Sequence, residues 1–416
     1  MKYGYIFVRA FAPLINLATD IVNIFVWRDK RVVLFGAWMG DKYADNTRFL
    51  FQYLQDNIDC YDIKKIVWVS RNREVIRLLN EKGYKAYEMH SINSIYYHFK
   101  AGIHVVCNIN FPVKGYAGDI MGQFSGHAIK INTWHGIPLK AGKTTGENIK
   151  KRGVLGKIKY ALRRNTLVTS LFTPGHWDKA YYLSTGAEST RRCSIFCGIK
   201  ESQFIEAGYP RDCGITSLLE EERLIIGQFD VCKKIFLYVP TFRETSQVPH
   251  PLSEKVLRDF LTENHILWVE KPHAAMGDSL MLVDKDDNVL YLNSKFDINV
   301  LLDKVDLVIT DYSSICYDAM AYDKPVLFYS PDVDYYTRME RGFLCNYLEA
   351  VSGFMTTTID GLIEQLSLFL NDDAFKQNMT RKIPLVKSKL LDKQSKTCGE
   401  ILSIISERTG GFRYNT

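Results

Sequence analysis

The sequence has no C-x-x-C pair, and its nine cysteines are an odd number scattered through 416 residues. The closest two, Cys193 and Cys197, bracket Ser194, Ile195 and Phe196. This excludes a disulfide framework and a zinc site of the usual ligand spacing, and implies reduced thiols in a cytosolic setting. No G-x-G-x-x-G follows the first strand-like run and no G-x-x-x-x-G-K-[ST] occurs. The dinucleotide fingerprint and the P-loop are therefore set aside. Low-complexity tracts are lacking, and at 46% hydrophobic and 24% charged the composition is that of a globular protein. Net charge is only +6, a mild basic excess that suits anionic partners without identifying one. The basic residues are not interleaved with the stacking aromatics of a recognised module, which argues against nucleic acid.

A clean membrane-spanning run is also lacking. The nearest approach is the N-terminus, "MKYGYIFVRAFAPLINLATDIVNIFVWRDKR", which Arg9, Asn16, Asp20 and Asn23 interrupt. It has no small-residue cleavage site. Phe7, Phe11, Leu14, Ile15, Ala18, Ile21, Val22 and Phe25 recur at helical spacing, with Asn16, Thr19, Asp20 and Asn23 opposite. The pattern predicts an amphipathic helix within residues 1–30, bent or restarted at Pro13. It packs on the core, or it lies on an anionic membrane helped by Lys2, Arg9, Arg28, Lys30 and Arg31; a true span is the third reading.

What is present is an alternation of strand and helix signals, in a chain longer than single cores usually reach, roughly 250–300 residues. "RVVLFGAW", "KIVWVS", "GIHVVCNIN", "HAIKINTW" and "TSLFTPG" read as strands. "DNTRFLFQYLQDN" reads as a helix capped by Asp45, and "NREVIRLLNEKG" as one closed by Gly83. After a polar stretch near residue 215, "KKIFLYVP", "HILWVEKP", "NVLYLN", "DLVITD" and "PVLFYS" follow. Strands apolar throughout and separated by helices indicate parallel sheets covered on both faces. The expected division is residues 31–220, 221–375 and a helical tail over 376–416.

The informative segments lie at carboxyl ends of strands, where open α/β sheets bind ligands. In "DLVITDYSSICYDAM" a strand ends at Asp311, and Ser313 and Ser314 open a helix. Two hydroxyls beside free N–H groups suit an anion, or they simply cap the helix. Asp318 lies one turn on. Lys271 and His273 follow a strand in "LWVEKPHAAM", as do Pro240, Thr241 and Arg243 in "LYVPTFRE"; Arg211 sits in the turn "EAGYPRDC". In "INTWHGIPLK", His135 stands where a glycine and then a proline force a turn. The segment "IKKRGVLGKIKYALRRN", residues 149–165, reads as a basic amphipathic helix for a membrane surface, a guide for an anionic polymer, or a solvated face.

Taken together, "TWHGIPLK", "GYPRD", "VPTFRE", the Lys-x-His of "EKPH", "TDYSSICYD", "KPVLFY" and "RGF" resemble, in order and spacing, the CDP-glycerol glycerophosphotransferase family. These are teichoic-acid primases and polymerases with capsule-polymer relatives. "LFGAWMGDKYADNTRFLF" is similar to that family's opening motif, and the resemblance runs over about residues 30–375. It implies a GT-B-like α/β fold, two Rossmann-like domains facing a cleft, with an acceptor domain first and a CDP-donor domain second. It implies transfer of a polyol phosphate from CDP-glycerol or CDP-ribitol to a hydroxyl of a lipid-linked or polymeric acceptor. CMP is released on the cytoplasmic face of the membrane.

By that resemblance His135 is the catalytic base and His273 its partner at the diphosphate. Gly136 and Pro138 shape the loop. Arg211, Ser313 and Ser314 hold the diphosphate, and Pro240, Thr241, Lys271, Pro272 and Asp318 border the nucleotide or alcohol. Lys140 and Lys143 suit an acceptor phosphate. One departure concerns His273: the family has proline after this histidine, where Ala274 stands here, with Pro272 before it instead. No acidic cluster suggests a dedicated metal site, and a divalent ion on the diphosphate stays open. Two other classes are kept: a GT-B nucleotide-sugar glycosyltransferase or epimerase, and a non-catalytic scaffold in polymer assembly.

Overall fold

A computed structural model describes residues 14, 16–108, 118–141, 153–154, 157–158, 173–229, 234–241, 243, 248–271, 288–340, 342–351 and 353–415. The chain forms two compact units. The first takes Met1–His135, Ile149–Ser217 and Lys393–Thr416; the second takes Gly136–Asn148 and Leu218–Asp392.

In the first unit, seven strands form one sheet: β1 (Asp29–Phe35), β2 (Lys65–Ser70), β3 (Lys85–Glu88), β4 (Ala101–Val106), β5 (Ile129–Asn132), β6 (Tyr181–Ser184) and β7 (Phe204–Glu206). Their order is β3-β2-β1-β4-β5-β6-β7, parallel at every pairing. The second unit has β8 (Lys234–Val239), β9 (Ile266–Glu270), β10 (Val289–Tyr291), β11 (Leu307–Thr310), β12 (Val326–Tyr329) and β13 (Met355–Thr356). Their order is β10-β9-β8-β11-β12-β13, again all parallel. The continuous apolar runs have the reason expected of them: Val33, Leu34 and Phe35 in β1 and Leu307, Val308 and Ile309 in β11 are fully buried. In the second unit, Phe236, Trp268, Leu307 and Leu327 pack with Leu362 and Leu366 of the helix Ile359–Asn371.

One expected strand, "TSLFTPG", is described only at its end, since residues 169–172 lie outside the described residues. Residues 173–175 of "TSLFTPG" are not strand; they lead into a 3-10 turn, Pro174–Lys179, in which Gly175 and His176 have φ of 56° and 58°. Pro174 has no N–H to give a ladder, and the pairing strand is the later β6. The short strands β3, β6, β7 and β13 carry too few residues to show a period. At the chain end, the helix Cys398–Thr409 belongs to the first unit, where Tyr61 and Tyr414 stack at 4.8 Å.

Residues 16–24 are helical, and their packing inverts the usual rule. Asn16 and Asn23 are buried, whereas Leu14, Leu17, Ile21, Val22, Ile24 and Phe25 are exposed, Phe25 at 84% and Trp27 beyond it at 90%. The polar stripe faces the first unit: Asn23 Nδ2 donates to the Gln123 carbonyl, and Asp20 meets His176 at 3.4 Å. Arg28 fixes the end of this segment. Its guanidinium donates to the carbonyls of His98, Phe99, Ala101, Phe124 and Gly126 and to Asn23 Oδ1. With no carboxylate among those partners, burial lowers its pKa to about 10. Among the described residues no helix is long and apolar enough to cross a membrane.

Candidate active site

Both sheets reverse the direction of strand addition at one place, between β1 and β4 and between β8 and β11. Ligands of open α/β sheets bind beyond the strand ends at such a switch. Each unit carries a cluster of polar side chains there.

In the first unit, β5 ends at Asn132, whose side chain reorganises the turn. Its Oδ1 accepts from the Trp134 N–H at 2.8 Å, and its Nδ2 donates to the Asn108 carbonyl at 2.9 Å. Trp134 is held at φ 57° and buries its indole, and Gly136 follows at φ 141°. Left-handed backbone costs a β-carbon-bearing residue about 1–2 kcal/mol, so glycine suits position 136. Between them His135 is half-buried, flanked by the rings of Trp134 at 4.5 Å and Trp38 at 5.8 Å. Its Nδ1 lies 3.1 Å from the Cys107 carbonyl oxygen. A carbonyl can only accept, so Nδ1 carries the proton, and in the neutral ring the lone pair is on Nε2.

Arg211 holds the backbone behind that histidine. It lies in the 3-10 turn Pro210–Cys213 and is buried; its Nη1 donates to Asp45 Oδ1 at 2.7 Å and to the His135 carbonyl at 3.2 Å. The Arg211 N–H donates to Asn46 Oδ1, and Asn46 Nδ2 donates to the carbonyls of Thr133 and Trp134. Asp45 is not the expected helix cap: the cap position is Ala44, with no side-chain capping bond, and Asp45 is the first residue of the helix. It sits at φ 66° at the start of the helix Asp45–Asp56 and forms an ion pair with side chains only 3% and 4% exposed.

In the second unit, Asp311 follows β11 and is buried. It accepts from the N–H groups of Thr241 and Tyr312 and from Arg243 Nη2 at 2.9 Å. Arg243 also grips Asp332 through Nε and Nη2 at 2.8 and 2.9 Å and donates to the Thr241 carbonyl. Burial alone would lower the Arg243 pKa; Asp332 and Asp311 outweigh it and hold it above the ordinary value. This network joins the ends of β8, β11 and β12 under two half-exposed hydroxyls, Ser313 and Ser314. Ser313 Oγ accepts from the Ile315 N–H at a long 3.4 Å, and Ser314 makes no side-chain capping bond. Asp318 is buried one turn on. Pro240 and Lys271 are half-buried after β8 and β9, and the Lys271 N–H bonds the Tyr238 carbonyl. Before Lys271, Glu270 is fully buried, 2.7 Å from His250 Nε2 and 3.2 Å from the Trp268 indole N–H. Pro138 is buried and Lys140 bridges Phe343, both in the second unit. Pro272, His273, Lys143 and most of residues 149–165 lie outside the described residues; Val154 and Ile158 of that segment are exposed.

Nothing local in the sequence marks Asn46, Asp332 or Glu270 as parts of these clusters, because their partners are remote or their own surroundings are apolar. Asp311 had a signal: it directly follows a strand and precedes the paired serines by one residue.

The chain is 26% identical over 382 residues to a teichoic acid poly(glycerol phosphate) polymerase of Bacillus spizizenii, covering 88% of this chain and 89% of that one. A polymerase of the same description from Bacillus subtilis is 26% identical over 355 residues, covering 83% of this chain and 44% of the relative, so the chain spans under half of that longer protein. A solved structure of the wall teichoic acid polymerase TagF matches with a TM-score of 0.71 at 20% identity, over 98% of this chain and 96% of that one. That likeness carries the GT-B-like α/β fold. The family model for CDP-glycerol:poly(glycerophosphate) glycerophosphotransferases matches residues 19–398, and the chain belongs to that family of transferases.

Proposed function

We propose that this chain moves a polyol phosphate, glycerol phosphate foremost, from a CDP-alcohol to a hydroxyl of a lipid-linked or polymeric acceptor in teichoic-acid-like synthesis. The observation that carries the reading is the imidazole of His135, with Nδ1–H spent on the Cys107 carbonyl and Nε2 left as a base. The acceptor oxygen attacks the phosphorus distal to the cytidine, and its proton passes to Nε2. The bond from that phosphorus to the bridging oxygen breaks, and CMP leaves with the electron pair. A positioned base contributes about 10²–10⁴-fold to such a step.

On the second unit, Ser313, Ser314, Thr241, Pro240, Lys271, Pro272, His273 and Asp318 serve the donor; Lys140 and Lys143 serve an acceptor phosphate. Arg211 is better suited to holding the His135 turn than to binding the diphosphate, because its guanidinium is already committed to Asp45. The enzyme works on the cytoplasmic leaflet as a peripheral protein. The exposed apolar face of residues 14–25 and Trp27 supports this reading.

The test measures CMP release with CDP-glycerol, CDP-ribitol and UDP-sugars as donors, and identifies the products by mass spectrometry. His135→Ala is expected to lose at least about 10²-fold in turnover while keeping donor affinity. Near-normal CMP release by that variant with acceptor present would remove His135 from the chemistry, and turnover of UDP-sugars alone would replace the donor assignment.

A further inference from the structure

Asp119 takes no part in the chemistry set out above, yet its carboxylate is fully buried and receives four N–H groups. Oδ1 accepts from the Met39 N–H at 2.7 Å and from Asn108 Nδ2 at 3.3 Å. Oδ2 accepts from two successive backbone N–H groups, those of Cys107 and Asn108, each at 2.9 Å. Burial raises the pKa of this group above the ordinary carboxylate value, and its N–H donors offset only part of that rise. The donor count decides its state: two N–H groups on each oxygen leave no place for a proton, so it is a carboxylate.

The Asn108 N–H and the Cys107 C=O belong to one planar peptide. Asp119 holds the N–H side of that peptide, and His135 Nδ1 donates to its carbonyl side at 3.1 Å. Carboxylate, peptide and imidazole therefore form one hydrogen-bonded series. An anion drawing on the N–H polarises the peptide and strengthens the carbonyl as an acceptor, most of all away from water. A stronger acceptor at Nδ1 keeps the proton there and the lone pair on Nε2. A carboxylate touching the imidazole directly does the same work in a Ser-His-Asp triad; here a peptide stands between.

We infer that Asp119 is a positioning residue for His135, fixing its tautomer and orientation through the Cys107–Asn108 peptide. The inference rests on the reading of His135 as the base, and its test separates the two. Protein labelled with 15N-histidine reports which ring nitrogen carries the proton, and the His135 signals among the nine histidines are assigned by difference from His135→Gln. The native spectrum is expected to show His135 protonated at Nδ1. In Asp119→Asn the amide turns a donor toward backbone donors, and a population protonated at Nε2 is expected to appear. Its kcat should fall by at least about 10-fold, with the KM for CDP-glycerol unchanged. Asn108→Ala keeps the backbone N–H and should keep the native tautomer. A native His135 protonated at Nε2 overturns the inference even if Asp119→Asn does not fold. A folded Asp119→Asn enzyme with native tautomer and native kcat overturns it as well. Full turnover by His135→Ala would instead sink the base reading, and the spectra would still decide the link to Asp119.

Discussion

Arg211 and Ser314 both follow from short motifs, but burial assigns them different work. Arg211 is enclosed and paired with Asp45, so removing it takes the counter-charge from a buried carboxylate. Breaking such a pair from one side costs about 3–5 kcal/mol. Arg211→Ala should therefore show a large loss in thermal stability, with lost activity following from the disturbed His135 turn. Ser313 and Ser314 are half-exposed and hold little of the fold together. Replacing both by alanine should leave the unfolding midpoint nearly unchanged and weaken CDP-alcohol binding, by about 1.5–3 kcal/mol for each lost bond to a charged group. Calorimetry and thermal melts on the two variants make the check, and unchanged donor affinity in the double serine variant would take those hydroxyls out of the site.

The N-terminal helix shows how a sequence period can leave the direction of packing open. Spacing separates an apolar from a polar face, but only the packing shows that Asn16 and Asn23 face inward. The inward face is polar because its partners are polar: the Gln123 carbonyl, the Arg28 guanidinium and His176 beside Asp20. Gly126 lets Asn23 close in, since a Cβ there would come within 2.6 Å of the Asn23 side chain. Two interventions should then diverge. Exchanging Leu17, Ile21, Phe25 and Trp27 for serine leaves the inward contacts alone, so the fold should hold while flotation with anionic liposomes is lost. Deleting residues 1–28 removes Arg28 as well and leaves five carbonyls without that donor, so stability should fall too. Equal flotation of native and serine-substituted protein would exclude this face as the membrane contact.

At the scale of the whole molecule, pH should act through histidines buried in the first unit. His98 donates from Nδ1 to the Ser94 carbonyl and accepts at Nε2 from the Met121 N–H, so it is neutral in the fold. Burial lowers its pKa from 6.5 to about 4, and His104, 6.1 Å away ring to ring, is also pushed well down by burial. Between pH 6.5 and 4 the unfolded chain binds more protons than the native one, so stability falls as the solution is acidified through that window. It is level above it. For His98 alone the loss is about 2 kcal/mol at pH 5. Thermal midpoints at pH 7 and pH 5 should differ accordingly, and His98→Gln should narrow the gap; an equal gap in native and variant proteins would exclude His98 as a source.

The sequence alone determined the parallel α/β class, because strands buried on both faces must be apolar along their whole length, and that pattern is local. It also put His135 and the paired serines just after strands, since a strand and the turn that follows it are written in adjacent residues. Tertiary structure decided the rest, for reasons of distance along the chain. Asp45 and Arg211 meet across 166 residues, Asp119 and Met39 across 80, and Arg243 and Asp332 across 89. No period or motif spans such separations; each pair exists only because parallel strands carry their carboxyl ends to one edge of a sheet. The left-handed turn at Trp134 is likewise invisible in its residue type. It is held by Asn132 and Asn46, and it sets the His135 Nδ1 against the Cys107 carbonyl.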